Sequence, residues 1–138
     1  MLSVSITPPG AVLSVSIKDK DKDKTLPKFF ALIDTGSDST YMPWHLVGPL
    51  ENSGFDYNVK KFKNFDGEKK AIYALDISNA TIDFFWVDEE SREKPLLIKN
   101  YTNLLIFLIS GKIGLLGRDI LNKHVLEFNG PDFKYKFT

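Results

Sequence analysis

Leu32-Ile33-Asp34-Thr35-Gly36-Ser37 is the run in this 138-residue chain with the clearest chemical potential. It presents a carboxylate directly after the continuous apolar stretch Phe29-Phe30-Ala31-Leu32-Ile33. A carboxylate at the end of a buried strand is costly to desolvate unless it is hydrogen-bonded or protonated, so the position calls for a reason. Thr35 adds a hydroxyl that can donate and accept, and Gly36 lets a second backbone come close. Read in isolation, Asp34 also suits an ordinary turn in which an aspartate caps a strand end.

A second run, Gly114-Leu115-Leu116-Gly117-Arg118-Asp119, lies far downstream. A glycine closing a buried apolar strand often marks the close approach of another backbone. In this order, within a chain rich in short β-type segments, the two runs resemble the retropepsin-like aspartic proteases. The likeness extends over most of the chain, including a hairpin near Asp66-Gly67 and a short helix after Gly117.

That resemblance implies a water molecule polarised between two aspartates, one acting as base and the other, protonated, assisting the carbonyl of the scissile amide. Two carboxyls about 3 Å apart cannot both ionise, so they share a proton and titrate as a pair. Neither Asp66-Gly67 nor Asp119-Ile120 repeats Asp-Thr-Gly after an apolar strand. A catalytic reading therefore requires Asp34 to meet Asp34 of a second copy across a two-fold axis, making the expected enzyme a homodimer acting on peptide or protein substrates.

By the same resemblance, Thr35 would hydrogen-bond across the two-fold axis and Gly36 would face the substrate backbone. Asp38 and Arg118 would form a buried ion pair beside the loop, with Leu115, Leu116 and Gly117 packed beneath it. The hairpin from Phe62 to Ile72, with Phe65, Asp66 and Gly67 at its tip, would be a flap over an extended peptide bound by strand addition. The strand from Phe133 to Phe137 would contribute to the dimer interface. Ser37 stands where retroviral members commonly have alanine, and the flap candidate is poorer in glycine than theirs. The segment from Asp83 to Asn100 reads as an insertion. These departures keep a second reading open: a dimerisation or peptide-binding module without turnover.

The elements that must position these residues are legible as strands separated by turn punctuation, the pattern of an all-β barrel or sandwich. Through the resemblance, the expected fold is an all-β, retropepsin-like acid protease barrel with one short helix near the C-terminus, built as a single domain over residues 1–138. Ala11-Val12-Leu13-Ser14-Val15-Ser16-Ile17 alternates with the strand period, and the alternating charges from Lys18 to Lys24 form a solvated connection. Further strands are expected at Tyr73–Ile77, Thr81–Val87, Leu96–Ile98 and Leu104–Ile109, with a surface loop over Asp88–Pro95. Arg118–Lys123 has room for one or two helical turns, followed by a terminal hairpin from His124 to Phe137.

Composition excludes several other classes. Eighteen basic and 18 acidic residues balance to zero net charge, leaving no electrostatic footprint for nucleic acid or an anionic membrane. The chain has no cysteine, which excludes disulfides and Cys-ligated metal. Leu104–Ile109, its longest apolar run, is far shorter than the roughly 20 residues of a membrane-spanning helix. With no signal-peptide pattern at the start, a cytoplasmic protein, or a domain cut from a larger one, is expected.

Asp19, Asp21 and Asp23 resemble the opening of a calcium loop, but Lys24 and Phe30 stand where glycine and a bidentate glutamate are needed. His45 and His124 lack metal-binding partners in sequence, and Phe84-Phe85-Trp86 reads as core. No phosphate loop or serine or cysteine nucleophile motif appears, and no cofactor or metal is expected.

Overall fold

Leu13, Val15 and Ile17 alternate along one strand, and all three are fully buried. That strand, β2 (Val12–Asp19), follows β1 (Ser3–Ser5) and precedes β3 (Lys24–Thr25), β4 (Phe29–Ile33) and β5 (Thr40–Pro43). After a 3-10 turn at Trp44–Leu46 come β6 (Tyr57–Lys63), β7 (Lys69–Val87), β8 (Glu93–Ile109) and β9 (Gly114–Leu116). The single-turn helix α1 (Arg118–Leu121) then leads to β10 (Leu126–Asn129) and β11 (Lys134–Phe137). The computed structural model describes residues 3–5, 12–46, 57–63, 69–87, 90, 92–109, 111–129 and 134–138.

Six strands close into a barrel in the order β2-β4-β9-β5-β8-β7, with the additional β7–β2 pairing sealing it. Closure pairs both margins of the six strands, and β3 and β6 extend the sheet beyond β2 and β7. Two of its ladders are parallel, β4 with β9 and β5 with β8. Strand β9 is held between β4 and β5, Leu115 standing opposite Leu32 on one side and Tyr41 on the other. The all-β fold with one short helix agrees with expectation.

Two elements differ from the sequence reading. Strand β7 runs unbroken through Ser78-Asn79-Ala80, where polar residues read as a break. Its pairing with β2 from Ala80 to Trp86, and with β8 on the other side, overrides the weak local propensity. Strand β8 begins at Glu93, so Glu93-Lys94-Pro95 belongs to a strand rather than to a loop, with a bulge between Phe84 and Phe85 accommodating Pro95. The β7 part of the Asp83–Asn100 segment is thus integral to barrel closure.

The expected solvated connection is a turn, Lys20–Asp23, capped by Asp19, whose Oδ1 accepts from the amides of Asp21 and Lys22. A second sheet, β1-β11-β10, gathers both terminal segments within one chain. Phe137 on β11 is 1% exposed and packs edge-on against Phe84 of the barrel. Burying such a ring is worth about 2–3 kcal/mol, enough to seat a short strand. The side chain of Phe137 therefore belongs to the chain's own core rather than to an interface.

Candidate active site

Asp34 follows β4 at the point where the strand gives way to a turn. Its backbone is fixed at both ends: the Asp34 amide donates to the Leu116 carbonyl at 3.0 Å, and the Asp34 carbonyl accepts from the Ser37 amide at 3.2 Å. The side chain is oriented as well, Oδ1 accepting from the Gly36 amide at 3.0 Å. Asp34 is half-buried, while Thr35 and Gly36 at the tip are exposed. The carboxyl is held by one backbone donor yet open to an incoming molecule.

The loop is tied down from below. Ser37 donates through Oγ to the Ser39 carbonyl at 2.8 Å, and the Ser37 carbonyl accepts from the Arg118 amide at 2.8 Å. Leu116 is fully buried and Leu115 half-buried. A Cβ on Gly117 would fall 2.1 Å from the Ser39 carbonyl oxygen, and one on Gly114 would fall 2.3 Å from that of Tyr41. Both glycines of the second run thus sit where no side chain fits, because the backbone of β9 presses against that of Ser39 at one end and of Tyr41 in β5 at the other.

Thr40 and Asp119 complete this support; the sequence reading placed Asp119 at the end of the second run without giving it a role, and did not single out Thr40. Thr40 is fully buried; its Oγ1 donates to Asp119 Oδ1 at 2.7 Å and accepts from the Gly117 amide at 3.1 Å. Asp119 also accepts from the amides of Thr40, at 3.2 Å, and Ile120, at 2.9 Å. An ionised carboxylate with several donors is well satisfied in a half-buried setting. Buried Ile120 and Leu121 pin α1, since a single helical turn has no stability of its own.

Asp38 and Arg118 do form an ion pair, but their side chains are 83% and 48% exposed, so the expectation of a buried pair is corrected. The loop turns Asp38 outward while α1 begins at the surface. A pair so exposed is worth at most about 1 kcal/mol.

The structure therefore brings together Asp34, Thr35, Gly36, Ser37, Asp38, Leu115, Leu116, Gly117 and Arg118 at one end of the parallel β4–β9 pair. Phe65, Asp66 and Gly67, the expected flap tip, lie outside the described residues. His45 is exposed on the 3-10 turn.

A solved structure, a retropepsin-like aspartic protease from Rickettsia conorii, is similar to this chain. The TM-score is 0.54 at 13% identity, over 99% of this chain and 89% of that one. The fold is that of the retropepsin-like aspartic proteases. Two further solved structures are similar. The EIAV protease complexed with the inhibitor HBY-793 aligns at TM-score 0.41 and 15% identity, over 87% of this chain and 93% of that one. The retroviral protease-like domain of Ddi1 from Leishmania major aligns at 0.42 and 13%, over 93% and 94%. No protein-family model and no curated protein matches the chain.

Within this retropepsin-like fold, the carboxylates around the loop divide by what they are bound to. Asp38 is engaged by Arg118, and Asp119 is engaged by Thr40 and Ile120. Among the described residues, Asp34 alone of the three has its carboxyl held only by an amide of its own loop, that of Gly36.

Proposed function

We propose that the chain is an aspartic endopeptidase that works as a homodimer, with water activated between the Asp34 carboxylates of two copies. The observation that carries this reading is the division among the loop's carboxylates: Asp119 is satisfied by Thr40 and Ile120, Asp38 pairs with Arg118 at the surface, and Asp34 is held only by the Gly36 amide, one available acid per chain. The chemistry needs two, and a second copy across a two-fold axis supplies the other.

In the assembled site, one Asp34 is ionised and its partner protonated, because two adjacent carboxyls retain a proton between them. The ionised group takes a proton from the water as its oxygen attacks the peptide carbonyl carbon. The protonated group hydrogen-bonds to the carbonyl oxygen as negative charge develops there. Collapse of the tetrahedral intermediate breaks the C–N bond, and a proton passes from the dyad to the leaving amine. Thr35 and Gly36 sit at the exposed loop tip, where a partner loop and a substrate backbone would meet them.

The test is Asp34→Asn, which keeps the size and hydrogen-bonding reach of the side chain but removes its charge. Peptide cleavage should vanish while fold and dimer persist. Undiminished cleavage by that variant would remove Asp34 from the mechanism. Peptide binding by the unaltered chain, without cleavage anywhere between pH 3.5 and 7, would favour a binding module.

A further inference from the structure

His124 stands where the turn after α1 meets β7, β8 and the end of β11. Its ring stacks on Phe137, centroids 4.3 Å apart and 19° from parallel, and meets Phe84 edge-on at 5.4 Å. Nδ1 lies 3.2 Å from the main-chain oxygen of Thr138, and Nε2 contacts the Tyr101 hydroxyl. The main-chain oxygen can only accept. Nδ1 therefore carries the ring proton, Nε2 is the bare nitrogen, and the Tyr101 O–H donates to it. Beside this contact, Val125 and Thr138 exchange two backbone hydrogen bonds, each 3.0 Å.

We propose that His124 is an acid-sensitive latch: its neutral ring holds the end of β11 on the barrel, and its protonated ring releases it. A proton added at Nε2 converts an acceptor into a donor that faces the Tyr101 O–H. The hydroxyl must then turn its hydrogen away, and the donor of a buried tyrosine loses its acceptor.

The surrounding charges sharpen the effect. From β8, Lys99 reaches across to the Lys123 carbonyl next to His124, and Lys123 places its own ammonium 5.3 Å from the Tyr101 ring. Asp119 of α1 acts on the Tyr101 hydroxyl, which burial and that carboxylate together hold in its protonated, donating form. Strand β7 contributes uncharged Phe84, and β11 contributes Phe137 and the Thr138 oxygen. Lys136 next to Phe137 is exposed, on the opposite face of its strand. Burial first, then Lys99, push the imidazole down to about 4 against the upward pull of the Thr138 oxygen. None of this depends on peptide cleavage.

The full chain, followed by NMR of the His124 ring and by amide exchange, tests the latch. Protection of the Val125 and Thr138 amides, normalised to those of Leu13 and Val15 in the barrel, should fall about ten- to a hundred-fold between the ordinary histidine pKa of 6.5 and pH 4. His124→Phe keeps the stack on Phe137 but cannot titrate, and its normalised protection should not change with pH. A His124 ring that titrates at 6.5 in the unaltered chain, or β11 protection that stays level as that ring protonates, would overturn the proposal whether or not the variant folds.

Discussion

The amide of Asp34 donates to the carbonyl of Leu116 at 3.0 Å, which joins the proposed catalytic loop to the strand that ends in Gly117. The bond continues the parallel ladder in which Ile33 stands opposite Leu116. Asp34 is consequently positioned by a barrel strand as well as by its own loop. Displacing β9 should therefore disturb the carboxyl even though β9 carries no reacting group.

Gly117→Ala tests that coupling. The added methyl carbon would lie 2.1 Å from the Ser39 carbonyl oxygen, with the rest of the Ser39 backbone also inside van der Waals contact, so the backbone must move. We expect a loss of about 3 kcal/mol in chemical denaturation, at the upper end of overpacking effects. A neighbouring substitution gives the contrast. Gly36→Ala meets only Asp34 Oδ1, at 3.3 Å, and should cost much less stability while perturbing the acid directly.

Thr40→Val preserves shape but strips the hydroxyl that links Asp119 to the Gly117 amide. Two polar groups then lose a partner in a site where Thr40 itself is fully buried. The expected destabilisation is about 2 kcal/mol, and Thr40→Ser should recover most of it. A Val variant as stable as the unaltered chain, with the Ser variant the weaker of the two, would show that the methyl group, not the hydrogen bonds, carries the stability.

Acidification should weaken the fold through His124. The folded chain holds this group at about 4, whereas an unfolded chain binds a proton near 6.5, so between these values the unfolded state carries the extra proton. Stability therefore rises with pH across that window, is complete above 6.5, and is lost progressively as pH falls towards 4. The ring is only partly shielded, and the loss should be about 1–2 kcal/mol rather than the full value that the displacement implies. Urea titrations at several pH values check the size, and His124→Phe should remove the slope. A slope retained in that variant would place the acid sensitivity elsewhere.

Much of the architecture is legible in the residues themselves. The apolar run into Asp34, the glycine-bounded Gly114–Gly117 strand and the short helix beginning at Arg118 all carry local signatures. Strands β7 and β8 were harder to delimit, because Ser78-Asn79 and Pro95 weaken strand propensity locally while pairing on their flanks restores it. Thr40 and Asp119 form their contact across 79 residues, and nothing near either one announces it. Asp38 and Arg118 were legible as partners but not in their exposure, which depends on where the loop and α1 emerge from the barrel.

The central claim is that two chains contribute one acid each to a single site. Adding an equal amount of Asp34→Asn protein to a fixed amount of unaltered protein, with time for protomers to exchange, tests it most directly. If mixed dimers cannot turn over, random pairing leaves about half of the original activity although no active chain was removed. Activity that stays unchanged after exchange has been verified would mean that each chain completes its own site, and would contradict the account.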